Sequence, residues 1–146
     1  MTKVNPMKSG LLEKRNLQNV KLVSINVYPV KSCGAFNPET WSVSKAGLLY
    51  DRQWVIVNAV GAALTQKREP KLCLIRPEID LIENVLILRY HGKDESISIS
   101  FNEGRCLLRN NDHESGFAKI CGKLARAIDE GPSVGKWLSE VTMIYY

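Results

Sequence analysis

From Val23 onward, apolar and polar positions alternate with a period of two. Val23, Ile25 and Val27 interleave with Ser24, Asn26 and Tyr28, the pattern of a half-buried strand ending at Pro29. Trp41 and Val43 alternate with Ser42 and Ser44 before a turn at Gly47. Trp54 to Val57 is apolar on both faces, which predicts a central strand. Leu64 opens a short segment, and Leu72 to Ile75 predicts a strand that follows Pro70 and stops at Pro77. Val85 to Tyr90 and Ile97 to Phe101 flank the turn His91-Gly92-Lys93-Asp94, a hairpin signal, with Ile97, Ile99 and Phe101 on one face and Ser96, Ser98 and Ser100 on the other. Cys106 to Leu108 adds a further short strand.

Phe117 to Ile128 fits either one amphipathic helix or two strands turning at Gly122-Lys123. Gly122 in a helix interior costs about 1 kcal/mol, which favours strands. Val134, Trp137, Leu138 and Val141 then recur at helical spacing behind Gly131-Pro132, a helix entry. The expected fold is therefore mainly β: a barrel-like domain of about seven to nine short strands with one short C-terminal helix. That helix has little chain after it. Its stripe of Trp137 and Leu138 is therefore expected to lack a partner and to stay exposed, the mark of a truncated end.

Composition narrows the class without naming a function. A chain of 146 residues with 45% hydrophobic and 24% charged positions is globular, and no apolar run approaches the length of a membrane span. Twenty Lys and Arg against fifteen Asp and Glu give +5. Residues 1–24 carry five basic side chains against Glu13, a net of +4, which leaves only +1 for residues 25–146. The excess is a basic leader on a nearly neutral body, and this argues against nucleic acid as a partner. The leader has no apolar h-region, so it does not read as a secretory signal. Cys33, Cys73, Cys106 and Cys121 form no CxxC pair, so free thiols in a cytoplasmic protein are expected. The domain boundaries expected are a flexible leader at 1–21, the β domain at 22–131, and a short helix with a truncated tail at 132–146.

The sequence holds no phosphate loop, metalloprotease helix, nucleophile elbow or paired-cysteine zinc pattern. His91 falls in a hairpin turn and His113 in a polar run, so both read as solvated loop residues. Two basic sites lie at strand ends. Tyr28-Pro29-Val30-Lys31-Ser32-Cys33-Gly34 offers an ammonium, a hydroxyl and accessible backbone N–H groups, a set suited to an anion. Asp51-Arg52 precedes the buried strand, and an Arg fork there can grip a phosphate. The residues alone also admit plainer readings: Lys31 as a solvated turn residue, Arg52 paired with a surface carboxylate, Cys33 as a packed thiol.

Three blocks carry a resemblance: YPVKSCGAF (28–36), GLLYDRQWVIVN (47–58) and LTQKREPKLCLIRPEIDL (64–81). In this order and spacing they resemble the middle region of eukaryotic molybdenum cofactor sulfurases, the N-terminal β-barrel part of the MOSC module, over roughly Leu22 to Val141. A looser similarity runs to the mitochondrial amidoxime-reducing component. The resemblance implies that Lys31, Ser32 and Arg52 contact the Mo-molybdopterin cofactor, with Thr65, Gln66 and Arg68 at the same mouth. It implies no catalytic residue and no metal ligand in this chain. It also implies that the pyridoxal-phosphate desulfurase half and the MOSC domain with its cysteine lie outside the chain and are its missing partners, so that the chain alone is not expected to be catalytic. The alternatives are a fragment of an amidoxime-reducing molybdenum oxidoreductase, separable by electron-dependent reduction, and a small barrel binding single-stranded nucleic acid, separable by salt-dependent oligonucleotide binding.

Overall fold

A computed structural model describes residues 21–101 and 115–143. In chain order its strands are β1 (Val30–Lys31), β2 (Val43–Ser44), β3 (Gly47–Leu48), β4 (Trp54–Val55), β5 (Ile75–Asp80), β6 (Val85–Tyr90), β7 (Ser96–Ser100), β8 (Ser115–Ile120) and β9 (Lys123–Ile128). A 3-10 turn, Pro70–Leu74, precedes β5, and helix α1 (Pro132–Thr142) follows β9. The mainly β class with a C-terminal helix is as expected. Among the described residues the strands form four sheets that are not closed into a barrel: β1 with β4, β2 with β3, β5-β6-β7, and β8 with β9.

The pair β1–β4 is parallel, and the other three sheets are antiparallel. Single bridges extend them. Val57 pairs with Ala63, Ala62 pairs with Lys119, and Leu64 N–H donates to Ile56 O at 2.9 Å. The apolar run Trp54 to Val57 thus pairs with β1 over its first half and with residues 62–64 over its second.

The β6–β7 hairpin forms as expected, with Leu88 opposite Ile97 and Leu86 opposite Ile99. Phe117 to Ile128 is two strands, as the glycine indicated. Cys121 (φ 50°) and Gly122 (φ 82°) are both left-handed, the signature of a type I′ hairpin turn, so the turn sits one residue earlier than expected. The Cys106 to Leu108 strand lies outside the described residues.

Two strand boundaries differ from the sequence pattern. Leu72 to Leu74 belongs to the 3-10 turn, and β5 runs straight through Pro77. His91 N–H donates to Leu74 O at 2.9 Å, which places the hydrogen-bonded pairs at Arg76–Arg89 and Glu78–Ile87. Pro77 therefore occupies a non-hydrogen-bonded position on an edge strand, where its missing N–H costs no ladder bond. Conversely, the alternation from Val23 to Tyr28 makes no strand. Val23 is 88% exposed, and only Val27 is buried, in one bridge to Phe36. Alternation supplies a face, but a strand also needs a neighbour.

The core gathers Val30, Cys33, Ile56, Leu72, Ile75, Ile79, Leu86, Leu88, Ile99 and Phe101, and α1 closes it with Trp137, Leu138 and Val141. The expectation of an exposed helix stripe is overturned: Trp137 and Leu138 are 7% and 6% exposed. The stripe packs on residues that precede it in the chain, so it needs none that follow. Gly131 (φ 100°) and Pro132 start α1. At the other end Lys71 Nζ donates to Thr142 O (3.0 Å) and Lys93 Nζ to Glu140 O (3.2 Å), two cations on the negative pole of the helix. None of the described helices is long and apolar enough to cross a membrane.

Candidate functional site

Lys31 and Arg52 lie far apart in sequence, and the β1–β4 pair brings their segments side by side. Val30 stands opposite Trp54 and Lys31 opposite Val55. Arg52 N–H donates to Tyr28 O at 2.8 Å, and Trp54 N–H donates to Pro29 O at 3.1 Å. Val27, Pro29 and Val30 are all buried, so the proline-stiffened strand is anchored in the core, and Lys31 follows it half-buried. Lys31 lies three residues beyond Tyr28, which sits beside Arg52. The two cations therefore occupy levels about 10 Å apart along the strand, within joint reach of two long side chains.

Three of the residues at this junction adopt left-handed backbone conformations without being glycine: Ser32 (φ 72°), Tyr50 (φ 60°) and Arg52 (φ 55°). Such residues persist where surrounding contacts over-determine them. Ser32 follows Lys31 in a turn closed by Cys33 N–H donating to Val30 O at 3.2 Å. Tyr50 packs against Trp54 and Phe101, with ring centroids 5.9 and 4.8 Å away. Trp54 Nε1 in turn donates to Glu130 Oε1 at 3.1 Å, tying β4 to the entry of α1.

Asp51 holds the two blocks together, a role the sequence did not disclose. Its Oδ1 accepts from Tyr28 N–H at 2.9 Å, and its Oδ2 lies 3.8 Å from Arg52 Nε. The reading of Arg52 as paired with a nearby carboxylate is therefore partly right. Its side chain nevertheless remains 70% exposed, and one contact at 3.8 Å leaves the terminal guanidinium nitrogens available. Lys31 and Ser32 are half-buried, and their side chains make no hydrogen bond or ion pair with a described residue.

The third block approaches from the other side. The Val57–Ala63 bridge and the bond from Leu64 N–H to Ile56 O bring the start of this block alongside the chain just beyond β4. Gln66 and Arg68 lie in the exposed turn that follows, where Arg68 N–H donates to Thr65 O at 2.9 Å. A concavity of about 550 Å³ lies elsewhere, between Thr40–Ser42 and the acidic Glu78 and Asp80. Lys31, Ser32 and Arg52 do not line it, and its charge suits no anion.

Cys33 is 2% exposed, and burial, with a smaller contribution from Cys73, pushes its thiol up from 9.0 to about 12. That confirms the packed-thiol reading: thiolate chemistry near neutral pH is closed to it. His91 is exposed in its turn, as expected, and His113 lies outside the described residues. Among the described residues no group of His, Cys, Asp or Glu could hold a metal ion.

Residues 19–143 match the MOSC N-terminal beta barrel domain family. The molybdenum cofactor sulfurase of Danio rerio is 39% identical over 127 residues, covering 87% of this chain and 15% of that protein. The Homo sapiens molybdenum cofactor sulfurase is 35% identical over 119 residues, covering 81% and 13%. The chain thus spans about a seventh of the length of these relatives. A solution structure from Bordetella bronchiseptica, 16% identical, aligns with a TM-score of 0.51 over 73% of this chain and 84% of that one, a likeness of fold. Sequence blocks, fold and relatives agree: the chain belongs to the MOSC N-terminal beta barrel domain family and is related to the molybdenum cofactor sulfurases.

Proposed function

We propose that this domain forms one wall of a molybdenum cofactor site in a protein that transfers sulfur to that cofactor. The observation that carries this reading is the β1–β4 pairing, which gathers Lys31, Ser32 and Arg52 from two sequence blocks onto one junction. A phosphorylated pterin offers a dianion at one end and hydrogen-bonding edges at the other. The donor set fits such a ligand: an ammonium, a hydroxyl, and a guanidinium with its outer edge free. When bound, the cofactor supplies the molybdenum onto which sulfur is placed.

The domain's own contribution is binding. Arg52 grips oxyanions as a fork, Lys31 adds a point charge, and Ser32 donates through its hydroxyl. Two charge-assisted hydrogen bonds contribute about 3–6 kcal/mol before screening, and ordering two long side chains offsets about 1–3. The remainder is at most about 5 kcal/mol, an affinity of a few tenths of a millimolar at best, since 1 mM needs about 4 kcal/mol. A second wall that excluded water would strengthen the same contacts. The desulfurase and MOSC parts of a sulfurase are the partners this reading requires.

The test is a chimaera in which this domain replaces the matching 127 residues of the Danio rerio sulfurase. Molybdenum and pterin are measured in the purified protein with Lys31→Ala, Arg52→Ala or both. The double variant should lose most of its cofactor, and Arg52→Lys should lose more than Lys31→Arg. Full occupancy in the double variant would make these residues surface charges and end the reading.

A further inference from the structure

The cation at the foot of β4 stands on an unusual piece of backbone. Tyr50 and Arg52 are both left-handed, at φ 60° and 55°, with Asp51 between them. Neither is glycine, so the turn relaxes to commoner conformations unless something holds it. Asp51 N–H donates to Leu48 O at 3.1 Å within the turn, and two further bonds tie the turn to Tyr28. Arg52 N–H donates to Tyr28 O at 2.8 Å, and Tyr28 N–H donates to Asp51 Oδ1 at 2.9 Å. The strand they grip cannot move to follow the turn, because Val27, Pro29 and Val30 are buried in the core. Pro29 has no N–H, so Tyr28 supplies the last backbone donor before the β1–β4 ladder. It gives that donor to a side chain instead of a strand.

We propose that Asp51 is a positioning residue: its carboxylate clasps Tyr28 N–H and thereby holds the left-handed Tyr50–Arg52 turn, and with it the Arg52 guanidinium, beside Lys31 and Ser32. This rests on the anion-site reading above. The clasp works through the acceptor oxygen and not through charge. The Asp51 side chain is 30% exposed and meets Arg52 only at 3.8 Å, whereas its bond to Tyr28 has good length. A carboxylate this close to an anion site would, as a charge, repel the ligand. The bond it makes accounts for a carboxylate at this position.

The two roles give opposite predictions for Asp51→Asn, which keeps an acceptor and drops the charge. The experiment uses the whole chain, isotopically labelled, with inorganic phosphate as probe. Nuclear Overhauser effects between Arg52 and Tyr28 and the backbone couplings of Tyr50 and Arg52 report the turn. Shifts at Lys31, Ser32 and the Arg52 Nε–H report phosphate. In Asp51→Ala the Arg52–Tyr28 effects and the left-handed couplings should vanish while the Val30–Trp54 pairing remains. Phosphate should then bind roughly tenfold more weakly, the change expected when one charge-assisted hydrogen bond is removed. Asp51→Asn should restore the turn and bind phosphate at least as well as the parent. If Asp51→Ala does not fold, Asp51→Glu takes its place: it keeps the charge but misplaces the oxygen, and it should bind more weakly than Asp51→Asn.

An unchanged turn in Asp51→Ala, or an Asp51→Asn as impaired as Asp51→Ala, overturns the proposal. A parent chain in which phosphate moves none of the three site residues overturns the anion-site reading instead, and the couplings still decide the clasp.

Discussion

Adding one methyl group at Gly34 tests how firmly the YPVKSCG block is seated. A Cβ there would lie 3.0 Å from Ile75 O, 3.5 Å from Cys73 O and 3.8 Å from Arg76 Cγ. The two nearest atoms are backbone, and the segment that carries them is anchored by Leu72 and Ile75, both fully buried. The methyl can be accommodated only if residues 33–35 retreat by a few tenths of an ångström. That retreat stretches the bond from Gly34 N–H to Ile75 O, now 2.8 Å. Overpacking of this kind costs about 1–3 kcal/mol, and weakening the bond adds up to about 1. Replacing glycine returns about 0.4–1 kcal/mol through the unfolded chain. Gly34→Ala should therefore destabilise by about 1–3 kcal/mol. Urea unfolding should show a lower midpoint at unchanged slope. Gly135→Ala is the control: a Cβ at that helix position meets nothing within 4 Å, so the same change should stabilise by about 0.5–1 kcal/mol. A Gly34→Ala protein as stable as its parent would refute the reasoning and show that the block is not pinned to β5.

Four further outcomes follow from the core and its edges. Cys33 is raised from 9.0 to about 12, so the stability its protonated form provides is complete below pH 9 and is lost as pH rises from 9 towards 12, by up to about 4 kcal/mol; the difference in unfolding free energy between the parent and Cys33→Ala should fall over that window, and a flat difference would deny the shift. At neutral pH, iodoacetamide should label the exposed Cys73 and Cys121 while sparing Cys33, read by peptide mass spectrometry. Lys71→Met should cost about 0.5–1 kcal/mol by uncapping the last turn of α1, seen as a lower melting temperature whose deficit shrinks in high salt. Leu86→Ala, at the fully buried centre of the three-stranded sheet, should cost about 2–5 kcal/mol in the same urea assay.

Local pattern explains what the sequence disclosed. The β6–β7 hairpin is legible because Ile97, Ile99 and Phe101 share one face across a short turn, and α1 because its stripe recurs at helical spacing. Pro77 misleads because a proline costs a strand nothing where no ladder bond is made, and only the register decides that. The burial of the helix stripe is not legible because its partners come earlier in the chain, where a tertiary contact leaves no periodic trace. Lys31, Ser32 and Arg52 can be named from the blocks they occupy. Their adjacency cannot, since a parallel pair between Val30 and Trp54 is set by tertiary packing. Asp51 stays hidden for a related reason: a side chain that serves a distant backbone N–H has no local signature.

The brevity of the β1–β4 pair has a kinetic consequence. Two residues on each side make its ladder, and the chain between them must close before any of it forms. By contrast, β6 is paired along its length on both sides to strands that are its immediate neighbours in sequence. The hairpins should assemble early, and the junction that carries Lys31 and Arg52 should close late and reopen first. Amide hydrogens at Lys31 and Trp54 would then exchange through brief local openings, while those of Leu86 and Leu88 wait for global unfolding. A ligand seated on that junction would slow the openings, so its arrival would be recorded as protection of a handful of amides against an unchanged background.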